Sequence, residues 1–482
     1  MSRVRALVDW LDERLGDRLE GLLSEHHARR LRRLGWGSVL DGDRGGFAAR
    51  APVRDGNRID VLIDGEEALP AMRAAIEGAT SSVHIANWHA SPDFRLTREP
   101  GAPTLRELLT AAARRVPVRV LLWAGPPVPA FEPTRTQARA TQAELARDGA
   151  VRCALDARER TLHCHHEKLM IVDGGTAFVG GMDFTALQGD RHDSREHPAD
   201  RPLGWHDVTA RLSGPVVADV ADHFRRRWNE ITGEQLPPPA VPEQAGGTTA
   251  QLIRTIPERT YEFAPRGEFT LLDGYLRALR SARRLVYLEN QFLWSPEITE
   301  ILIDKLRRPP DPAFRVVLLL PRRPSNGADT TRGQLARLID ADDGGRRLLG
   351  ATITAHDGER SAPVYVHAKI GIVDDEWMTI GSANLNEHSL FNDTEVNVST
   401  DDADLVRATR LRLWAEHLQR PVSDVDGDPA DVVDRLWRPT AEEQAERQAA
   451  GLPPTHRLTL LPGVSRRASR LQGPLRGLLV DG

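Results

Sequence analysis

The chain contains 482 residues, of which 40% are hydrophobic and 28% are charged, so it is long enough for two ordinary domains and a large core. Its formal net charge of −5 and its isoelectric point near 6.4 argue against a dedicated nucleic-acid-binding protein, although local basic patches are compatible with both values. Two cysteines, Cys153 and Cys164, are too few for a disulfide framework and favour a reducing compartment.

The first part of the chain has helical periodicity, and residues 2–34 predict an amphipathic helix with a basic end. Its apolar stripe comprises Val4, Leu7, Val8, Leu11, Leu15, Leu19 and Leu22, and its basic end comprises Arg29, Arg30, Arg32 and Arg33. Such a helix is compatible with a lipid-surface anchor or with packing on the body of the protein. Acidic residues in its first half dilute the positive charge, so we favour packing.

No run of eighteen apolar residues occurs in the sequence, so we predict no membrane-spanning helix. The amino-terminal residues lack an unbroken apolar core followed by a small-residue cleavage site, so a signal peptide is not expected. We therefore expect a cytoplasmic protein and leave peripheral contact with a membrane open.

Strands and helices alternate from Ile59 onwards, which predicts an α/β fold with mixed sheets. The predicted strands of the first half are Ile59–Ile63, Ser82–Trp88, Val118–Trp123, Val151–Leu155, Leu169–Val172, Thr176–Gly180 and Trp205–Leu212. The predicted helices between and after them are Glu66–Glu77, Leu105–Arg115, Thr136–Arg147 and Val216–Trp228. After Pro237-Pro238-Pro239 and Gly246-Gly247, which indicate a linker, a second half repeats this order.

The second half is predicted to contain helices Leu271–Ser281, Glu297–Arg307, Gly333–Ala341 and Ala403–Leu418, with strands Leu285–Glu289, Arg315–Leu320, Ile370–Val373 and Trp377–Gly381. The residues that follow have no counterpart in the first half, and we interpret them as structural support. The predicted segments are an amino-terminal lead-in (1–54), a first half (55–234), a linker (235–250), a second half (251–420) and a carboxy-terminal tail (421–482).

One motif, H-x-K-x4-D, occurs in both halves. His166, Lys168 and Asp173 form the first copy, and His367, Lys369 and Asp374 form the second, with 201 residues between the two histidines (367 − 166). Only three of the 64 Lys and Arg residues are lysines, and two of those three occupy the same motif position. Lysine offers a compact ammonium group with rotatable donors, whereas arginine offers a broad planar fork. The choice of lysine beside a histidine therefore indicates a small anionic ligand such as phosphate.

Two histidines and two lysines suit phosphodiester exchange. One neutral imidazole can attack phosphorus while the other, protonated, gives its proton to the departing alcohol. Two ammonium groups can neutralise the non-bridging oxygens, which is the task of a metal ion in other enzymes. The run His163-Cys164-His165-His166 superficially suggests a metal cluster, but successive residues of a strand face opposite sides, so we expect no metal site and no cofactor there.

The two motifs resemble the HKD motifs of the phospholipase D superfamily, and the resemblance extends from about Ile59 to Leu418. Three further strings resemble phospholipase D proper: Tyr287-Leu288-Glu289-Asn290-Gln291-Phe292, Gly204-Trp205-His206-Asp207-Val208 and Gly180-Gly181-Met182-Asp183. The resemblance implies two similar α/β sandwich halves with mixed sheets, sharing one active site at a pseudo-two-fold interface. It also implies a metal-independent phosphohistidine mechanism, with His166 as nucleophile and His367 as acid and base.

The other site candidates also follow from the resemblance. Asp207 is expected to orient His166, and Glu395 is expected to orient His367. Asn384, Asp183 and Gln291 are candidates for phosphate contacts. The motif aspartates, Asp173 and Asp374, are grouped with the catalytic residues, but their parity on the strands favours a role in holding turns.

The leading functional hypothesis is a phosphodiesterase or phosphatidyltransferase that acts on glycerophospholipid headgroups at a membrane surface, as a monomer. A cardiolipin synthase-like transferase is the first alternative, although the expected membrane-spanning helices are absent from this sequence. A nuclease of the same superfamily is the second, and the acidic composition argues against it. A non-catalytic adaptor would require a broken motif, and both copies are intact.

Overall fold

The computed structural model describes residues 18, 20–42, 44–127, 132–159, 163–200, 203–325 and 328–464. The stripe residues Val4, Leu7, Val8, Leu11, Leu15 and Leu19 lie outside these residues, as does the end of the predicted tail from residue 465 onwards.

The first half is a seven-stranded mixed sheet. Its strands are β1 (Val53–Ile63), β2 (Val83–Asn87), β3 (Val118–Trp123), β4 (Val151–Asp156), β5 (Leu169–Val172), β6 (Thr176–Gly180) and β8 (Val208–Ser213). Their order across the sheet is β4-β3-β2-β5-β6-β8-β1, in which β4, β3 and β2 are parallel and the remaining pairs are antiparallel. The associated helices are α2 (Asp64–Glu77), α3 (Leu105–Ala113), α4 (Arg135–Leu145) and α5 (Val216–Thr232).

The second half repeats that order. Its strands are β9 (Thr248–Ile256), β10 (Glu268–Phe269), β11 (Leu285–Glu289), β12 (Arg315–Leu319), β13 (Leu348–His356), β15 (Ile370–Val373), β16 (Trp377–Gly381) and β17 (Glu395–Thr400). The order β13-β12-β11-β15-β16-β17-β9 matches the first sheet strand for strand, including three parallel strands at one end. The helices are α6 (Thr270–Ser281), α7 (Pro296–Arg307), α8 (Ala328–Asp342) and α9 (Ala403–His417).

Equivalent strands join the two sheets, since β1 pairs antiparallel with β9. A second connection pairs β7 (Gly204–His206) of the first half in parallel with β14 (Ser361–Val366) of the second. One hydrophobic core cluster contains residues from both halves, among them Ile171 of β5, Ile372 of β15 and Trp414 of α9. The predicted α/β fold with two similar halves is confirmed.

The motif strands are buried on both faces. In β5, Leu169 and Ile171 pack in the core shared by the halves, whereas Met170 and Val172 pack beneath α2 and α3. Successive side chains of a strand face opposite sides, so a continuous apolar run is what a strand between two layers requires. All four residues of β15 are buried in the same manner.

Several predicted elements differ from the structure. The single predicted strand Trp205–Leu212 is two strands, interrupted at Asp207. Strands β13, β14 and β17 were not predicted, and β9 begins at Thr248, inside the predicted linker. The remaining domain boundaries stay predictions.

The described end of the amino-terminal helix packs on the body of the protein. Residues 20–34 are helical and form α1. Leu31 is fully buried, and the Arg30 guanidinium donates to both carboxylate oxygens of Glu258. Leu22 of the predicted apolar stripe is exposed. The described part of the helix therefore packs on the body as favoured, but through Leu31 and through Arg30 of the predicted basic end rather than through the predicted stripe.

The tail folds over the second half. It contains α10 (Val422–Val425), α11 (Pro429–Val432), a π-helical turn (Val433–Trp437), α12 (Arg438–Ala449) and β18 (Leu458–Leu460). Strand β18 extends the second sheet beside β13, and Trp437 is fully buried in the shared core. The described part of the tail is therefore structural, as predicted.

Candidate active site

Each motif histidine follows a short parallel pairing with the other half. His165 forms an isolated parallel bridge with Thr394, and the His166 amide donates to the Thr394 carbonyl at 3.0 Å. In the second copy, β14 pairs with β7, and the His367 amide donates to the His206 carbonyl at 2.8 Å. The residue after each of these carbonyls is an acid, so each histidine is brought against a carboxylate of the opposite half.

The histidine–carboxylate pairs are therefore crossed. His166 Nδ1 lies 3.0 Å from Glu395 Oε1, and His367 Nδ1 lies 2.8 Å from Asp207 Oδ2. The expected pairing, Asp207 with His166 and Glu395 with His367, is wrong. The physical reason is the exchange of strand segments just described, which gives each half the other's carboxylate.

Burial dominates the electrostatics of these pairs. It raises the pKa of Asp207 to about 7, although nearby Lys369 opposes the shift. Burial likewise raises the pKa of Glu395 to about 8, against the lowering effect of Lys168. The pKa of His367 lies well below its ordinary value because of burial and because Lys369 and Arg191 repel a further positive charge.

The carboxylates of Glu395 and Asp207 have different neighbours. Ser382 and Ser389 both donate hydroxyl hydrogen bonds to Glu395, the latter at 2.5 Å. The counterpart of Ser382 in the first half is Gly181, and a Cβ atom there would lie 2.3 Å from Asp207 Oδ1. The glycine is therefore required by the close approach of that carboxylate rather than by turn geometry.

The two motif lysines are buried beside their histidines. Lys168 Nζ donates to the His166 carbonyl at 2.7 Å and lies 3.3 Å from Asp183 Oδ2. Lys369 Nζ donates to the His367 carbonyl at 2.5 Å and to Gln291 Oε1 at 3.4 Å. The equivalent carbonyl contacts show that the two copies hold their ammonium groups in the same way.

The three phosphate-contact candidates lie around these lysines. Asp183 accepts the amide of His89 at 3.1 Å as well as contacting Lys168. Asn384 Nδ2 donates to Gln291 Oε1 at 3.4 Å, and Gln291 also contacts Lys369. The first half thus places a carboxylate where the second places two amides, so the two copies are chemically different at this point.

The motif aspartates lie at the far ends of the motif strands. Asp173 accepts the amides of Thr80, Ser81 and Ser82, and Asp374 accepts those of Arg283, Arg284 and Leu285. These hydrogen bonds, acting against burial, lower the pKa of Asp173 to about 2. Grouping the two aspartates with the catalytic residues is therefore wrong, and their interpretation as turn-holding residues agrees with the structure.

Three site residues were missed by the sequence analysis: Arg191, Trp205 and Tyr365. The Trp205 ring lies 4.2 Å from the His367 ring, and the Arg191 guanidinium carbon lies 3.3 Å above Trp205. Trp205 belongs to a string already singled out, so its aromatic character was an available signal. Arg191 lies in a polar loop, and nothing in the sequence distinguishes it from 60 other arginines.

A cavity of about 690 Å³ is lined in part by Tyr365, which is a neighbour of His367. The Tyr365 ring lies 6.1 Å from the His367 ring, and Gln291 Nε2 donates to the Tyr365 hydroxyl at 2.7 Å. The cavity walls are partly apolar and carry two arginines: Leu203, Pro321, Pro363, Val364, Arg322 and Arg323.

The residues of the His163-Cys164-His165-His166 run contact three sets of partners. His163 and Cys164 both contact Asp393, and His163 also faces His388. His165 Nε2 lies 3.0 Å from Asp156, and His166 faces Glu395. The four side chains therefore do not meet at one point, although His163, His388 and Asp393 form a group whose donor atoms lie close together.

Comparisons with known proteins agree with this geometry. Residues 275–415 match the family described as cardiolipin synthase, PLD-like domain. Phospholipase D A of Dictyostelium discoideum is 25% identical over 462 residues, and Cardiolipin synthase A of Pseudomonas putida is 27% identical over 436 residues. Over most of its length the chain is thus similar to members of the phospholipase D superfamily. This superfamily comprises phosphodiesterases and phosphatidyltransferases.

The share of a relative's length that this chain covers differs from one relative to another. The alignments cover 77% of this chain and 36% of the Dictyostelium protein, and 88% of this chain and 76% of the Pseudomonas protein. The phosphatidylserine synthase of Haemophilus influenzae Rd KW20 shares the fold, with a TM-score of 0.52 at 10% identity over 84% of this chain and 96% of that one. Within the described residues, none of the helices has the length and apolar character of a membrane span.

Proposed function

We propose that this chain is a member of the phospholipase D superfamily that cleaves the headgroup ester of glycerophospholipids through a phosphohistidine intermediate. One observation carries the proposal: two buried histidines are each held by a carboxylate of the opposite half, and the charges of Lys168 and His166 from the first motif reach His367 in the second. Both motifs belong to one chain, so a monomer contains a complete site.

In the first step, His166 Nε2 attacks phosphorus with its electron pair. Glu395 lies against Nδ1, so the attacking atom is the other ring nitrogen. The bond between phosphorus and the headgroup oxygen breaks, its electron pair stays on that oxygen, and His367 supplies the proton. The ammonium groups of Lys168 and Lys369 stabilise the charge on the non-bridging oxygens.

In the second step, His367 acts as the base. It takes a proton from water or from an alcohol, whose oxygen attacks phosphorus while the phosphorus–nitrogen bond breaks and returns its electron pair to His166. Because Lys369 and Arg191 contribute to the low pKa of His367, the negative charge of a bound phosphodiester makes protonation easier at the moment when the acid is needed. No step uses a metal or an organic cofactor.

The cavity next to Tyr365 supports a lipid substrate. Leu203, Pro363 and Val364 provide apolar walls, and Arg322 and Arg323 provide positive charge. A cavity with apolar walls and two cationic groups suits an anionic amphiphile better than a polynucleotide, which requires an extended basic groove. We therefore propose peripheral action at a membrane surface in the cytoplasm, and the low number of cysteines, two in the whole chain, is what a reducing compartment favours.

A cardiolipin synthase-type transfer is the second candidate, because the matching family and several relatives carry that name. The same phosphohistidine would then be attacked by the hydroxyl of a second lipid. Incubating the protein with mixed phospholipids and a primary alcohol separates the outcomes. Phosphatidic acid indicates hydrolysis, phosphatidylalcohol indicates transfer, and cardiolipin formed from phosphatidylglycerol indicates the second candidate.

The intermediate is tested with a phosphatidyl ester of p-nitrophenol, whose leaving group needs no acid catalyst. His367→Ala should release one burst of nitrophenol and accumulate a phosphorylated peptide that contains His166. His166→Ala should give neither. A matched control is His223→Ala, which removes a buried histidine that contacts Glu167 outside the site. Near-normal turnover by folded His166→Ala on every phosphodiester tested would falsify the mechanism.

A further inference from the structure

A second cluster of titratable side chains lies behind the active site, where the halves meet. It consists of Asp64 at the start of α2, His197 in the loop before β7, His206 in β7 and Glu416 in α9. All four residues are at least 95% buried. From their geometry we infer that they bind one divalent transition-metal ion, for which Zn²⁺ is the best fit. The inference goes beyond the proposed reaction, which uses none of these four side chains.

The distances between the donor atoms suit a tetrahedral ion. His206 Nδ1 lies 3.4 Å from Glu416 Oε1, which lies 3.3 Å from His197 Nε2. His197 Nε2 lies 3.8 Å from Asp64 Oδ2. A tetrahedral zinc site with bonds of about 2.0–2.2 Å has donor atoms about 3.3–3.6 Å apart. The four side chains therefore need only small adjustments to surround one ion.

Three of these donor atoms have no other use in the described structure. Asp64 Oδ2, His197 Nε2 and Glu416 Oε1 are buried and make no hydrogen bond of acceptable geometry with any described residue. A buried polar atom without a hydrogen bond costs about 1–3 kcal/mol, and a cation bound among these three atoms would offset that cost. Two imidazoles and two carboxylates form a donor set that zinc accepts.

In each of the two histidines, the other ring nitrogen contacts a further carboxylate. Glu289 Oε2 lies 2.7 Å from His206 Nε2, and Asp193 Oδ2 lies 3.0 Å from His197 Nδ1. Histidines that bind zinc through one ring nitrogen commonly use the other to contact a carboxylate, which fixes the ring and raises its basicity. Both histidines of the cluster have this arrangement. The coordinating atoms would then be His197 Nε2 and His206 Nδ1, and the latter would exchange its present 2.9 Å contact with Asp64 Oδ1 for the ion.

An ion here would fix the geometry of the active site without taking part in the reaction. Asp64, His197 and His206 belong to the first half and Glu416 to the second, so the ion would link the halves. Asp64 Oδ1 accepts the Asp207 amide at 3.0 Å, and the His206 carbonyl accepts the His367 amide. The ion would therefore hold the segment that carries Asp207 against His367. Four protein donors describe a closed structural site.

The alternative is a network of two protonated imidazoles and four carboxylates with no ion. Metal content distinguishes the two. Protein freed of any affinity tag is analysed by mass spectrometry of its metals, as purified and after reconstitution with Zn²⁺ followed by gel filtration. We expect about one ion per chain, and Co²⁺ reconstitution should give the intense visible absorption of a tetrahedral site.

The location is tested with a pair of histidine variants. His197→Gln should lose the ion, whereas His163→Gln should keep it, because His163 belongs to a separate group with His388 and Asp393. Wild-type protein that stays below about 0.1 ion per chain in both preparations overturns the inference, whatever the variants do. Retention of the ion by His197→Gln overturns it as well. Neither readout depends on enzymatic activity, so failure here leaves the proposed reaction untouched.

Discussion

Glu395 of the second half holds His166 of the first, with 3.0 Å between the carboxylate oxygen and Nδ1. Asp207 holds His367 in the reverse direction at 2.8 Å. Each half therefore supplies one histidine and the carboxylate that orients the other. A half on its own contains a motif but no oriented imidazole, which explains why the two halves have to be joined so closely.

The crossed pairs predict which step each carboxylate affects. With the nitrophenyl ester, Glu395→Gln should slow the burst by about 10²-fold or more, because it disturbs the attacking His166. Asp207→Asn should leave the burst fast and slow the steady state by a similar factor, because it disturbs His367. Rapid-mixing kinetics measure both phases. The reverse pattern would assign the nucleophile to His367.

The motif lysines should not tolerate arginine. Lys369 is fully buried, and its ammonium group fits between the His367 carbonyl and Gln291. The wider guanidinium of Lys369→Arg should displace the phosphate position and lower kcat/KM by about 10²–10³-fold. Lys305→Arg is the matched control. Lys305 donates to two backbone carbonyls, and the residues that carry them belong to neither motif. Equal activity of the two variants would contradict a phosphate-binding role.

Local patterns made much of the fold predictable. Strands β5, β6, β11, β15 and β16 have the predicted bounds, because each is a short apolar run between turn residues. The two motifs were identified because lysine occupies the same position in both, in a chain that otherwise uses arginine. That choice is visible in the local sequence. Strand β17 was missed although Val396 and Val398 alternate with polar residues.

The crossed pairing was not predictable from the same patterns. Asp207 and His367 are 160 residues apart, and their contact depends on the pairing of β7 with β14, neither of which has a local signal for its partner. Arg191 was missed for a similar reason, since its place above Trp205 is decided by tertiary packing alone. Long-range pairing therefore decides which carboxylate contacts each histidine, whereas the local sequence identifies the histidines and lysines themselves.

Asp374 should matter for stability and not for chemistry. It accepts the amides of Arg283, Arg284 and Leu285, so Asp374→Ala leaves three amide groups without their acceptor. We expect a loss of about 2–4 kcal/mol in the free energy of unfolding, measured by urea denaturation, with kcat within about threefold of wild type at low temperature. Asp374→Asn, which keeps an oxygen acceptor, should lose less stability. A loss of activity in folded protein comparable to that of His367→Ala would restore a catalytic role.

The raised pKa of Glu395 predicts how stability depends on pH. Burial raises this pKa to about 8 in the folded protein, from an unfolded value near 4.5. Between these two values the folded state binds the proton more tightly, so stability falls as the pH rises, by up to about 1.4 kcal/mol per pH unit. Glu395→Gln cannot titrate and lacks this loss. The stability difference between the variant and the wild type, measured from urea unfolding, should therefore shift in favour of the variant from about pH 5 to about pH 8 and then level off. Taking the difference cancels the titration of groups that do not interact with Glu395. A difference that stays constant over this range would mean that Glu395 is ionised throughout, held in that form by Lys168 and its two serine donors.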